Sequence, residues 1–249
     1  EMPAELYNLD AVAYESLLVG FFQILKGPPN YFGSLVGEPK LTELVLATSR
    51  DGFHWYRPDR TAFLEARREP GSWEFGYVES TGGVLLVVGD ELWIYYSAYA
   101  GDPRRVNTPD WGANGMYSNG AVGLAKLRRD GFVSLQPRFP GAALTTRPFT
   151  FKGDRLFVNA QTSGELLRVE VLGADLKPIP GFSREECLGY CGNSTAAEIR
   201  WRDGRSLGPL VGQPVRFRFT MDRGELYAFW VTKDPKGESG GYRGAGGPV

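Results

Sequence analysis

Carboxylates, aromatic rings and arginines are the side chains whose types and spacing can do chemistry in this sequence. Glu15 follows Tyr14 and opens the apolar run LLVGFFQIL. An ionised carboxylate is costly there unless it is used or paired, for instance with an arginine. Glu74 and Glu79 flank Tyr77, with Trp73 directly before Glu74. A protonated carboxyl group that donates and an ionised one that accepts make a minimal acid–base apparatus, and burial of one raises its pKa into the donor role. The stretch GDPRRVNTPDWGANGMYSN, from Gly101 to Asn119, adds Arg104, Arg105, Asp110 and Trp111 on one long polar loop. Long loops in compact domains carry ligand contacts; this one serves equally as a solvated hairpin loop or a surface for further chain.

Other chemistries are excluded by what is missing. The chain has one histidine, His54, and two cysteines, Cys187 and Cys191. That rules out Ser-His-Asp and Cys-His schemes away from His54 and leaves too few ligands for zinc, so no metal or cofactor is expected. The cysteines are four apart and form either a local disulfide or two free thiols. Asp51 and His54 lie in the turn SRDGFHW, where they are expected to satisfy turn backbone groups above Trp55 rather than catalyse. A net charge of −1 gives no reason to expect nucleic acid or an acidic membrane as partner. No apolar run approaches the roughly 20 residues of a membrane helix. Glu1-Met2-Pro3 does not start a signal peptide, so the chain is either cytoplasmic or has lost a leader.

The elements that must position these residues are strands. Runs at Val12 to Leu25, Leu41 to Thr48, Val84 to Val88, Leu92 to Tyr99 and Ala121 to Leu127 are apolar, β-branched or aromatic, and Gly, Pro, Asn and Asp punctuate them. These continuous runs predict strands covered on both faces. After Pro140, Leu166 to Val171, Ala197 to Trp201, Val215 to Phe219 and Leu226 to Val231 largely alternate apolar and polar, which predicts strands with one wet face. Lys233 to Val249 is rich in glycine and charge and reads as a flexible tail.

An internal repeat organises the first half. LLVGFFQIL followed by ELVLATSRDGFHW matches ELWIYYSAY followed by GAVGLAKLRRDGFVSL, and Asp51-Gly52-Phe53 and Asp130-Gly131-Phe132 lie 79 residues apart. Each copy is a strand, a long polar loop, a second strand and a turn in which Gly accepts positive φ. Each is expected to supply one four-stranded blade. Two blades do not close a ring, so further blades must come from another chain, a second copy or a further segment.

Four stretches resemble the C-terminal part of bacterial proteins related to glycoside hydrolase families 32 and 43. They are AYESLLVG from Ala13, SRDGFHW from Ser49, GSWEFG from Gly71 leading into GDELWIYY, and LLRVEVLGADLKPIPGFSREEC with PVRFRF and LYAFWV. The resemblance runs from about Leu6 to Val231. It implies an all-β chain: the last, about two, blades of a five-bladed β-propeller over 1–140, a β-sandwich over 141–232 and a tail over 233–249. It further implies a secreted or periplasmic protein, a carbohydrate partner, and hydrolysis of a glycosidic bond by two carboxyl groups. Glu15 takes the place of the general acid, with Glu74 as the second candidate catalytic residue. Tyr14, Trp73, Tyr77, Glu79, Arg104, Asp110 and Trp111 are the expected substrate contacts, with Trp73 and Tyr77 as a sugar-stacking wall or Trp73 filling the gap between blades. The family's nucleophile or base and its supporting aspartate come from blades outside this sequence. The alternative is a non-catalytic carbohydrate-binding or surface-assembly protein on the same scaffold.

Overall fold

The computed structural model describes residues 3–82, 85–106 and 115–243. The chain is all-β, with 47% of it in strands, 7% helical and every sheet antiparallel. It divides into two compact units, residues 1–127 with 241–249, and residues 128–240.

The first unit holds two sheets. One begins with β1 (Glu5–Glu15), β2 (Leu17–Gly27), β3 (Leu41–Ser49) and β4 (Trp55–Tyr56) in sequence order, each paired to the next. A seven-residue helix, α1 (Asn30–Val36), fills the connection from β2 to β3 and stops at Gly37, whose φ of 71° suits glycine. The other sheet holds β5 (Gly76–Ser80), β6 (Leu86–Val88), β7 (Glu91–Tyr99) and β8 (Gly120–Arg128), with β7 pairing to the other three. The two repeat copies thus become the adjacent pairs β2–β3 and β7–β8.

The expectation of strands covered on both faces holds for β2 and β3. Phe21, Leu25, Leu44, Val45 and Ala47 are all buried. It does not hold for the second copy. β7 alternates, with Leu92, Ile94, Tyr96 and Ala98 inward and Tyr95 outward, and β8 leaves Val122 and Leu124 exposed. The turns differ too. Gly52 takes the positive φ in the first copy, whereas in the second it is Asp130, at 55°.

The second unit carries β9 (Ala142–Thr145), β10 (Arg155–Thr162), β11 (Arg168–Leu172), β12 (Asn193–Ile199), β13 (Arg216–Met221) and β14 (Gly224–Thr232). They form two three-stranded sheets, β12-β10-β14 and β11-β13-β9, which share one core including Leu156, Val158, Val169, Val171, Trp201, Phe217 and Phe219. This unit starts at Arg128, earlier than the expected boundary. The Arg128 guanidinium bonds Asn159 at 2.6 Å and Asn193 at 2.5 Å, and the Leu135 backbone exchanges two hydrogen bonds with Leu226. Residues 128–140 are thereby tied to β10, β12 and β14. Both cysteines are free thiols, Cys187 buried and Cys191 exposed, so the disulfide alternative is not realised. Within the stretch expected as a tail, β15 (Tyr242–Arg243) pairs with the end of β1, opposite Glu15 and Tyr14. No described helix is long and apolar enough to cross a membrane.

Candidate functional site

The expected site residues that the structure describes occupy separate settings in the first unit. Glu15 does not open a strand. It ends β1 at a φ of 51° in the tight reversal to Leu17. The apolar run from Val12 to Leu25 is a hairpin rather than a single strand, and Glu15 sits at its turn beside Gly241. Tyr14 is 4% exposed and belongs to the core, which keeps its ring from a ligand.

Glu74 is fully engaged. Its carboxylate accepts the Tyr96 hydroxyl and pairs with Arg67 Nε at 2.6 Å, and its side chain is 12% exposed. The Tyr96 phenol is pushed up to about 12, first by burial and then by that carboxylate. Trp73 lies against Tyr96 with ring centroids 5.5 Å apart and forms one wall of a cleft of about 430 Å³ with Phe75, Glu38, Gly101 and Asn119. Arg104 is also committed: it forks onto Asp102 at 2.9 and 3.1 Å, which holds the Asp102 carboxyl below its usual range. Asp110 and Trp111 lie outside the described residues. In the SRDGFHW turn, Asp51 accepts the backbone N–H groups of Phe53 and His54 and meets His54 Nδ1 at 2.8 Å. These contacts, the His54 backbone first, hold the Asp51 carboxyl far below its usual range. This is turn chemistry, as expected.

Tyr77 and Glu79 are the two expected residues that the fold brings into one reactive setting. Two strand irregularities build it. On β1 the register shifts between Leu6 and Asn8, so Tyr7 is the extra residue of a bulge, a device that re-aims a side chain. On β5 the register shifts between Gly76 and Glu79, and Tyr77 takes a φ of 48°. Gly76 is needed there, because a Cβ would lie 2.7 Å from the Lys40 carbonyl and from the Pro39 ring. Tyr77 N–H donates to that same carbonyl at 2.7 Å, which pins β5 onto the segment entering β3. The Val78 carbonyl is held from behind by Gln23 and Thr42.

Lys40 is 2% exposed. Its ammonium donates to the Tyr7 hydroxyl at 2.9 Å and lies 4.5 Å from the centre of the Tyr7 ring and 5.4 Å from that of Tyr77. Tyr7, Tyr99 and Tyr117 all present edge-to-face contacts to Tyr77, with centroids 6.1, 5.6 and 5.8 Å away. Glu79 accepts the Ser97 hydroxyl at 3.0 Å, and Asp10 accepts the Ser80 hydroxyl.

The electrostatics push these groups in opposite directions. Burial raises the Glu79 carboxyl, the Asp10 charge adds to the rise, and the Ser97 hydroxyl opposes it. The Lys40 ammonium lowers the Tyr7 phenol, and the Tyr77 hydroxyl acts in the same sense. Burial drives Tyr77, Tyr99 and Tyr117 upward. Shifted titratable groups gathered at one place mark a candidate functional site.

Tyr7, Asp10, Lys40, Tyr99 and Tyr117 were not among the expected site residues. Their spacing in the sequence gives no signal, because Tyr7 meets Lys40 through the β1 bulge. Compared with known protein families and with curated proteins, the sequence matches none.

Proposed function

We propose that this chain is part of a glycoside hydrolase acting by two carboxyl groups, with Glu79 as the proton donor. The observation that carries the reading is Glu79 itself. It is a half-buried carboxyl group that accepts the Ser97 hydroxyl at 3.0 Å, is raised by burial and by the Asp10 charge, and itself acts on Tyr7, Tyr77, Tyr99 and Tyr117. Hydrolysis of a glycosidic bond needs one carboxyl that holds a proton and one that is ionised, and aromatic rings suit the apolar faces of sugar rings. Glu15 and Glu74 fit the donor role less well. Glu15 stands five residues beyond Asp10 on β1, roughly 17 Å along an extended strand, whereas such carboxyl pairs sit about 5–9.5 Å apart. Glu74 is already paired on both sides.

The scaffold of this reading is two blades of a β-propeller followed by a β-sandwich. The pairs β2–β3 and β7–β8 support the first part, and the two sheets sharing one core support the second. A partner chain or second copy completes the propeller. The exposed Val122 and Leu124 of β8 and Leu86 and Val88 of β6 support that call, because apolar edge strands are normally covered.

The test is a panel of aryl glycosides and oligosaccharides. Glu79→Gln is expected to lose about 10²–10⁴-fold in kcat/KM, while Glu15→Gln and Glu74→Gln retain most of it. Unchanged hydrolysis by Glu79→Gln removes Glu79 as the donor. A chain that binds glycans without cleaving any is a binding protein.

A further inference from the structure

We infer that copies of this chain associate head to tail: the open face of the β1–β2–β3 sheet of one copy receives the open face of the β6–β7–β8 sheet of the next. The inference rests on the two-blade scaffold proposed above and names its partner, the two faces that meet and their polarity.

The argument starts from the repeat. Residues 17–25 and 91–99 align without a gap, so Leu18, Phe22 and Ile24 of β2 correspond to Leu92, Tyr96 and Ala98 of β7. In the same alignment Val19, Phe21, Gln23 and Leu25 correspond to Trp93, Tyr95, Ser97 and Tyr99. Successive residues of a strand face opposite sides of its sheet, so each repeat has the same two faces. Their burial is reversed. In β2 the odd-numbered set is buried, and Leu18, Phe22 and Ile24 are only half-buried. In β7 Leu92, Tyr96 and Ala98 are buried, and Trp93, Tyr95, Ser97 and Tyr99 are not. The covered face of the first sheet is the one turned toward the second, because Gln23 and Thr42 both donate to the Val78 carbonyl of β5. The covered face of β7 is closed in part by Trp73 and Glu74, from the segment that leads from the first sheet to the second. Each face that is covered in one repeat is therefore open in the other.

Both open faces have the composition of a joint. On the first sheet, Leu6, Phe22, Ile24 and Trp55 line an open cleft of about 520 Å³. The Arg57 guanidinium lies 5.5 Å from the centre of the Phe22 ring, and Trp55 meets that ring edge-on at 5.7 Å. On the second sheet, Leu86 and Val88 of β6, Tyr95 of β7 and Val122 and Leu124 of β8 are exposed. These five share one face. Leu86 and Val88 stand opposite Trp93 and Glu91. Lys126, two residues beyond Leu124, pairs with Glu91 at 3.2 Å and lies over Trp93. Aromatic residues and arginine are enriched where protein surfaces meet, and contiguous apolar patches mark such surfaces.

A second copy is the occupant that the repeat selects. The first repeat covers its odd-numbered face and the second its even-numbered face, so the join within the chain runs from one kind of face toward the other. A dimer that laid either open face on itself would pair like with like. A second copy placed head to tail brings the open odd-numbered face of its second sheet to the open even-numbered face of the first, which keeps the polarity of the internal join. Such a heterologous contact closes a ring where the rotation permits. With two sheets per copy, about two to four copies supply the roughly 4–8 blades that propellers hold.

The experiment measures the mass of the full chain in solution by sedimentation over a concentration series. Two variants each place a charge on one open face, Leu6→Asp on the first sheet and Val122→Asp on the second. These side chains are 61% and 68% exposed, so neither change disturbs a core, and circular dichroism checks that both variants fold. The parent is expected as an oligomer and each variant as a single chain. An equimolar mixture of the two variants is expected to give a one-to-one dimer and nothing larger. Only one intact joint can form there, between the first sheet of Val122→Asp and the second sheet of Leu6→Asp. A parent that stays a single chain overturns the inference. So does a parent oligomer that survives either substitution, or a pair of folded variants that do not associate on mixing. The glycoside panel reads the hydrolase separately. A single chain that hydrolyses glycosides overturns the assembly and leaves Glu79 in place, whereas a head-to-tail oligomer that cleaves none keeps the assembly and removes the hydrolase.

Discussion

Glu74 separates a structural carboxylate from a chemical one. Its side chain accepts the Tyr96 hydroxyl and pairs with Arg67. Glu74→Ala leaves the Tyr96 phenol, itself 8% exposed, with no acceptor at that position. A buried hydroxyl stripped of its partner costs about 1–3 kcal/mol. The Arg67 pair adds only about 0–1 kcal/mol, because that arginine is largely exposed and screened. Loss of the buried methylenes brings the total to roughly 2–4 kcal/mol. Glu74→Gln keeps an oxygen for Tyr96 and gives up the charge alone, so about 0–1 kcal/mol is expected. Urea unfolding followed by tryptophan fluorescence reads the difference, since Trp73 lies against Tyr96. Two units invite two transitions, and only the one that moves with Trp73 is to be compared. The reasoning is refuted if Glu74→Gln destabilises as much as Glu74→Ala. It is refuted equally if Glu74→Gln keeps full stability yet abolishes hydrolysis, because Glu74 would then be chemical.

Three further outcomes follow from the same structure. The native chain should react with one equivalent of a thiol reagent, at Cys191, and with two after unfolding, because Cys187 is buried and its thiol is raised by that burial; two equivalents in the native state would contradict the placement of Cys187. The Glu79 carboxyl is raised in the folded chain above its ordinary 4.5, so the folded state holds that proton more tightly than the unfolded one. Its contribution to stability is full below the ordinary carboxyl range and lost as pH rises through the raised value, so Glu79→Gln should gain on the parent as pH climbs toward neutrality in paired unfolding curves. A gap that narrows with rising pH would show the sign to be wrong. Trp201→Phe removes a buried indole whose N–H donates to the Val169 carbonyl at 3.1 Å, and should cost about 2–4 kcal/mol from the cavity and the unpaired carbonyl; a change below about 0.5 kcal/mol, within the range of ordinary surface substitutions, would mean the site collapses around the smaller ring.

The class of the fold was legible because strand signals are local. The β-branched and aromatic runs at Leu41 to Thr48 and Leu92 to Tyr99 became β3 and β7 almost residue for residue. The hairpin at Glu15 was not legible. Val12 to Leu25 is apolar but for Glu15, Ser16 and Gln23, with no glycine or proline at the reversal, which is carried by a glutamate at positive φ, a residue type that rarely marks a turn. α1 was missed because NYFGSLV is short and carries two aromatics that also suit strands. Of the candidate site, Tyr77 and Glu79 were readable because Glu74 and Glu79 flank Tyr77 next to Trp73. Tyr7 and Lys40 were not, since the contact between them depends on a bulge and on how β5 crosses the start of β3, and both are tertiary facts.

The return of the chain at β15 has a consequence for synthesis. Tyr242 and Arg243 come after all of residues 128–240, yet they supply the edge partner of β1. While the chain emerges from the ribosome, the outer edge of β1 at Tyr14 and Glu15, with β2 on its other side, must therefore wait for β15 until the whole second unit has been made. During that interval it can recruit a strand from a neighbouring chain. The same two residues decide whether the first unit is finished alone or in company.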